Sequence, residues 1–139
     1  MIQKIKEAIS NKLLELYTDI TIYDEEIPQG EENSPLEKPY FLITLTSQGY
    51  TKLLSSKSKV ELAFDVTYYS NQSTGIKNDC IQVGQTLLTN FESLQDYRVY
   101  GKKVEVKEYV MHFTFFLQYL EMKMETPIFM NKKEVNTNI

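Results

Sequence analysis

The chain has one cysteine (Cys80), one histidine (His112) and no tryptophan in 139 residues. A single cysteine excludes an intrachain disulfide and agrees with a reducing compartment. With Cys80 and His112 as the sole strong sulfur and nitrogen ligands, no metal-ligand spacing exists. The five glycines are scattered, so no Gly-rich loop is available to cradle a phosphate. No cofactor is expected. No apolar run reaches the roughly 18–20 residues that a membrane-spanning helix needs. Lys4, Lys6, Glu7, Lys12 and Glu15 punctuate the N-terminal stretch, which therefore does not read as a secretory signal. The expectation is a soluble chain made in the cytosol, with no membrane association.

What is plentiful is tyrosine and phenylalanine, ten and seven residues. Aromatics favour strands, and any excess can serve protein contacts. The formal charge of −4 argues against tight wrapping of duplex DNA, whose affinity depends on neutralising phosphates. Composition is otherwise that of a folded domain, and the length suits one hydrophobic core.

The stretch VEVKEYVMHFTFFLQYLEMKM, residues 104–124, organises the rest. Met111, Phe113, Phe115, Leu117 and Tyr119 alternate with His112, Thr114, Phe116 and Gln118, the period-two signature of a strand with one buried face. Glu108-Tyr109 can break the run into a hairpin. Its bulky face needs a cover, and two helix-like segments can supply one, residues 2–17 and 76–94. The first repeats Ile2, Ile5, Ile9, Leu13 and Leu16 at helical spacing; the second repeats Cys80, Gly84, Leu87 and Phe91, widened by Ile81, Val83 and Leu88. Asn78 or Asp79 can cap the second helix, and Gly84 can admit a close neighbour.

Between these lie a short strand around Ile20–Tyr23, a loop over residues 29–39, a strand YFLITLT (residues 40–46), and a polar hairpin tip over residues 47–58. The next strand, KVELAFDVTYY, points Val60, Leu62, Phe64, Val66 and Tyr68 one way and Glu61, Ala63, Asp65, Thr67 and Tyr69 the other. Residues 97–100 and 104–106 flank Gly101-Lys102, a candidate turn. This order predicts an α+β fold over residues 1–125: a mostly antiparallel or mixed sheet of four to six strands, with two helices packed on one face. Residues 126–139 are expected to be a flexible or partner-ordered tail.

No constellation supplies a reaction. His112 sits on the polar face of its strand, and a histidine dyad would need a nucleophile that nothing nearby provides. Cys80 lies on an apolar stripe, where a free thiol is ordinarily inert. Asp24, Glu25, Glu26, Glu31 and Glu32 form an acidic run that is either solvated or repellent to nucleic acid. Lys52, Lys57 and Lys59, and Lys102 with Lys103, are too few for a nucleic-acid footprint. Asp65 interrupts an apolar strand and should face solvent or a partner, beside Tyr40, Leu42 and Tyr69. An aromatic outer sheet face next to a charge suits a subunit interface as well as a wet surface.

The run IKEAISNKLLELYTDITIYDEEIPQG, then PYFLITL, FDVTYYS and MHFTFFLQYLEMK, resembles the phage tail terminator family of PBSX-like prophages. The resemblance implies a small mixed sheet flanked by helices. It implies a homohexameric ring that caps the tail tube, ends its polymerisation and accepts the head through connector proteins, with a sheath as a further neighbour. DNA would pass through the bore without specific binding. The protein would sit in the virion, at the head-proximal end of the tail. The family offers no catalytic residues, and none are expected here. A head-to-tail ring needs two different patches per subunit. Gln48, Tyr50, Lys52 and Lys57 in the hairpin are candidates for one, Asp65 and Tyr69 for the other, and Asp24, Glu25 and Glu26 for an acidic bore. Two other readings stay open: another phage head-completion or tail-joining subunit, and a small enzyme or ligand-binding domain with a polar-lined pocket.

Overall fold

A computed structural model describes residues 2–24, 39–54, 56–95 and 97–122. The expected tail over residues 126–139, most of the loop over residues 29–39, and Glu25 and Glu26 lie outside these. The elements are α1 (Ile2–Leu16), β1 (Thr21–Asp24), β2 (Tyr40–Lys52), β3 (Lys57–Tyr69), α2 (Ile76–Asn90), β4 (Ser93–Leu94), β5 (Tyr97–Lys107) and β6 (Val110–Met122). The strands form one sheet in the order β1-β2-β3-β6-β5-β4. β1 runs parallel to β2, whereas β4 with β5 and β5 with β6 are antiparallel. The fold is α+β, a mixed six-stranded sheet with two helices on one face. Two compact units are distinguished, Met1–Gln48 with Leu62–Leu117, and Gly49–Glu61 with Gln118–Ile139.

The first unit holds the core. Ile5, Ile9 and Leu13, one stripe of α1, are fully buried, as their spacing predicts. Beneath the helices, Phe41 and Ile43 of β2, Leu62, Phe64 and Val66 of β3, and Met111, Phe113, Phe115 and Leu117 of β6 are sealed from solvent. Phe91, just past α2, sets its ring 5.2 Å from Phe113 and 5.8 Å from Phe115. Each such side chain contributes about 1.5–3 kcal/mol of transfer free energy.

Gly84 is where α2 meets β5. A Cβ there would lie 2.6 Å from Val104 Cγ1, so only glycine admits this approach unstrained. Ile81, expected on the buried stripe, is 46% exposed. The helix starts from Gly75, in the left-handed region at φ 70°, and not from a side-chain cap by Asn78 or Asp79. Asp79 lies inside the first turn, where its Oδ2 accepts from Tyr68 Oη at 2.8 Å and Ser70 Oγ at 2.6 Å.

The second helix ends at Asn90, four residues before the expected Leu94. Thr89 and Asn90 turn their side chains back onto helix carbonyls, and Phe91 leaves helical geometry at φ −102°, ψ 59°. Ser93-Leu94 then pairs with β5. Phe91 and Leu94 are both buried, so hydrophobic spacing alone cannot separate one long helix from a helix followed by a strand.

The turn expected at Gly101-Lys102 is instead an irregularity within β5. The register shifts between Tyr100 and Lys103, and Gly101 takes φ +64°, the conformation that a bulge assigns to glycine. The chain reverses at Glu108-Tyr109, both at positive φ, with Lys107 opposite Val110. That is a two-residue hairpin loop in which two non-glycine residues accept a left-handed backbone. The long alternating run is thus split between β5 and β6. The polar segment over residues 47–58 is mostly strand: β2 reaches Lys52 and β3 begins at Lys57, with Leu53 N donating to Lys57 O at 2.9 Å. Every residue of β2 from Thr46 to Lys52 is exposed. With no buried face, its sequence shows no hydrophobic alternation.

Candidate interaction surfaces

The sheet face opposite the helices belongs to the alternate residues of each strand. Tyr23, Tyr40 and Tyr69 form an aromatic row across β1, β2 and β3, with Tyr40 stacked on Tyr69 at 4.4 Å and edge-on to Tyr23 at 5.5 Å. Burial, with the neighbouring Tyr69 and Tyr23, pushes the Tyr40 hydroxyl above its ordinary value. Farther along, Tyr100 stacks on Phe116 at 5.7 Å, and Phe116 remains 39% exposed.

Asp65 stands on this face, as its place in β3 predicts, but it is not a lone charge. Its Oδ2 lies 3.1 Å from His112 Nδ1 on β6, a pairing of adjacent strands. Oδ1 is buried with no hydrogen-bond partner among the described residues. A buried unsatisfied acceptor costs about 1–3 kcal/mol. An aspartate that orients a histidine is two-thirds of a hydrolytic triad, and the triad also requires a nucleophile on the other ring nitrogen. The contact here is a cross-strand polar pair. Sequence reasoning placed His112 on the correct face but missed its partner, because strand order is not written in either strand.

In the second unit, the ends of β2 and β3 carry Tyr50, Lys52 and Lys57 into solvent. The Tyr50 hydroxyl, on a residue 56% exposed, lies 2.6 Å from Ser58 Oγ. The turn adds Leu53 at 39% and Leu54 at 91% exposure. These leucines went unremarked in the sequence, although two adjacent leucines inside TKLLSSKSK were the available signal. Gln48 is exposed and belongs to the first unit. The structure thus groups Tyr50, Lys52 and Lys57 on one hairpin, and Asp65 with Tyr69 on one face of β3.

Asp24 closes β1 and pairs with Lys6 of α1 at 3.1 Å, the lysine being 10% and the aspartate 42% exposed. Beside the pair is a cavity of about 150 Å³ lined by residues including Ile22, Ile43, Ser10 and Glu7. The basic turn expected at Lys102 and Lys103 is distributed: Lys102 Nζ donates to Leu88 O near the end of α2, and Lys103 pairs with Glu105 at 3.4 Å. Lys103 and Lys107 hold the Glu105 carboxyl below its usual range. Cys80 is fully buried, and that burial, with Asp79 nearby, pushes its thiol up. Among the described residues, no group of three or more His, Cys, Asp and Glu side chains could hold a metal. No helix among them is long and apolar enough to cross a membrane.

A single mixed sheet, with helices on one face and aromatic residues on the other, defines the class: a small α+β domain. A family model described as Phage tail terminator protein matches residues 4–128, a span that takes in every strand and nearly all of both helices. The chain belongs to that family. Membership brings a structural role in capping phage tails and contact with tail and head components. No protein of curated function matches the chain.

Proposed function

We propose that this protein closes into a homohexameric ring on the finished tail tube, ends polymerisation, and presents the joining surface for the head. Its neighbours are further copies of itself, the tube protein, the head-tail connector proteins and, in a contractile tail, the sheath. The match over residues 4–128 is the observation that supports this reading. The mechanism is steric: one ring face copies the contacts of another tube layer, and the opposite face offers no site for the next.

The ring joins unlike patches. One is the hairpin with Gln48, Tyr50, Lys52 and Lys57; the other is the sheet face opposite the helices, with Asp65 and Tyr69. The aromatic row of that face, with Phe116 39% exposed, supports its assignment, since aromatic residues are enriched at interfaces. DNA passes the bore without binding, in keeping with the net charge of −4. For the acidic lining we retain Asp24, Glu25 and Glu26, although Asp24 already shares its charge with Lys6. The protein is made in the host cytoplasm and resides at the head-proximal end of the tail.

Deleting the gene from its phage or prophage tests the proposal. Electron micrographs should show over-long tails without heads, and headed tails of normal length would refute it. Complementation with Asp65→Lys should fail to restore assembly while the purified variant keeps its fold. Unfolding of that variant would instead make this face part of the core.

A further inference from the structure

We infer that residues 127–130, Pro-Ile-Phe-Met, fold back within the same chain and cover the apolar side chains of the second unit. Nine large hydrophobic side chains are exposed among the described residues, and five belong to that unit: Tyr50, Leu53, Leu54, Leu120 and Met122. Single exposed apolar residues need no explanation, but a concentration of them marks an interaction surface. The Tyr50 hydroxyl is already held by Ser58 Oγ. Leu53 and Leu54 stand at the β2–β3 turn. Leu120 and Met122, two residues apart at the end of β6, share one face.

The chain itself supplies the cover. Seventeen residues follow Met122, KMETPIFMNKKEVNTNI, and residues 127–130 are the one apolar run among them. Pro127 has no N–H to offer a ladder, so the run does not simply extend β6. Residues 123–126 have the length of an ordinary hairpin loop. The strand order sets β2 two places from β6, a separation of about 10 Å at the usual strand spacing. The six residues from Met122 to Ile128 span about 20 Å when extended, enough to cross both spacings. A tether this short holds the run at an effective concentration of about millimolar. A second copy or a foreign apolar partner would compete only above that level. The contact is made within one chain and does not depend on the ring.

Methyl NMR of the full-length chain tests this. Nuclear Overhauser cross-peaks should join the Phe129 ring to the methyl groups of Leu54 and Leu120, and dilution should leave them unchanged. In full-length Phe129→Ser those methyl resonances, with that of Met122, should shift towards solvent-exposed positions. The resonances of Leu87 and Leu117, fully buried in the first unit, should stay in place and show that the variant folds. Binding of an apolar dye should rise in the same variant. Absent cross-peaks overturn the inference, as do methyl resonances indifferent to Phe129→Ser. Cross-peaks seen only between separately labelled chains, or lost on dilution, assign the surface to a second copy and overturn it as well. If Phe129→Ser unfolds, the cross-peaks of the unsubstituted chain decide alone.

Discussion

Replacing Gly84 with alanine tests the packing of α2 on β5 most sharply. In a solvated helix the change would stabilise by about 1 kcal/mol. Here the new Cβ would lie 2.6 Å from Val104 Cγ1 and 3.3 Å from Cγ2. Valine is stiff about χ1, and Val104 is half-buried on its strand, so the clash is relieved by backbone movement. Overpacking of this kind costs about 1–3 kcal/mol. The net expectation is a loss of up to about 2 kcal/mol. In a Val104→Ala background both methyl groups are gone, and the same substitution should stabilise by about 1 kcal/mol. The coupling between the two sites is then about 1–3 kcal/mol. Urea unfolding of the four proteins, compared at equal m-values, measures it. If Gly84→Ala stabilises equally in both backgrounds, the close approach is not what holds glycine at this position.

The same geometry has other consequences. Gly101→Ala should cost about 1–2 kcal/mol for the left-handed backbone alone, and more because its Cβ would lie 2.7 Å from Phe116 Cδ2; Phe116→Ala should recover only the second part in urea melts. Asp79→Ala removes the acceptor of both Tyr68 and Ser70, with an expected loss of about 1–3 kcal/mol and a smaller effect in a Tyr68→Phe background. Burial raises the Tyr68, Tyr40 and Cys80 pKa values above their ordinary 10.0, 10.0 and 9.0. A proton held more tightly in the folded state gives stability that is complete below the unfolded pKa and lost as pH rises through the folded one. The urea midpoint should therefore fall above about pH 9, the ordinary cysteine value, and Tyr68→Phe should blunt the fall. A midpoint flat to pH 11 would contradict these burials.

The sequence by itself determined which residues would be inside. Ile5, Ile9 and Leu13 at helical spacing, and Met111, Phe113, Phe115 and Leu117 at alternate positions, each declare a buried face through local period alone. The class, two helices over one sheet, is settled because those faces have only each other to cover them. The sequence also held the Gly84 approach and the break at Glu108-Tyr109 as options. Wherever burial was lacking or shared between elements, it was mute. The outer half of β2 is strand without alternation. Phe91 and Leu94 look like helix continuation, although the first lies just past α2 and the second in β4. Gly101 has the composition of a turn, and only cross-strand register made it a bulge. The candidate surfaces depend most on such long-range choices. Asp65 meets His112, and Tyr40 meets Tyr69, only because β3 lies between β2 and β6. Neighbour relations among strands arise from packing of the whole chain, and no single segment encodes them.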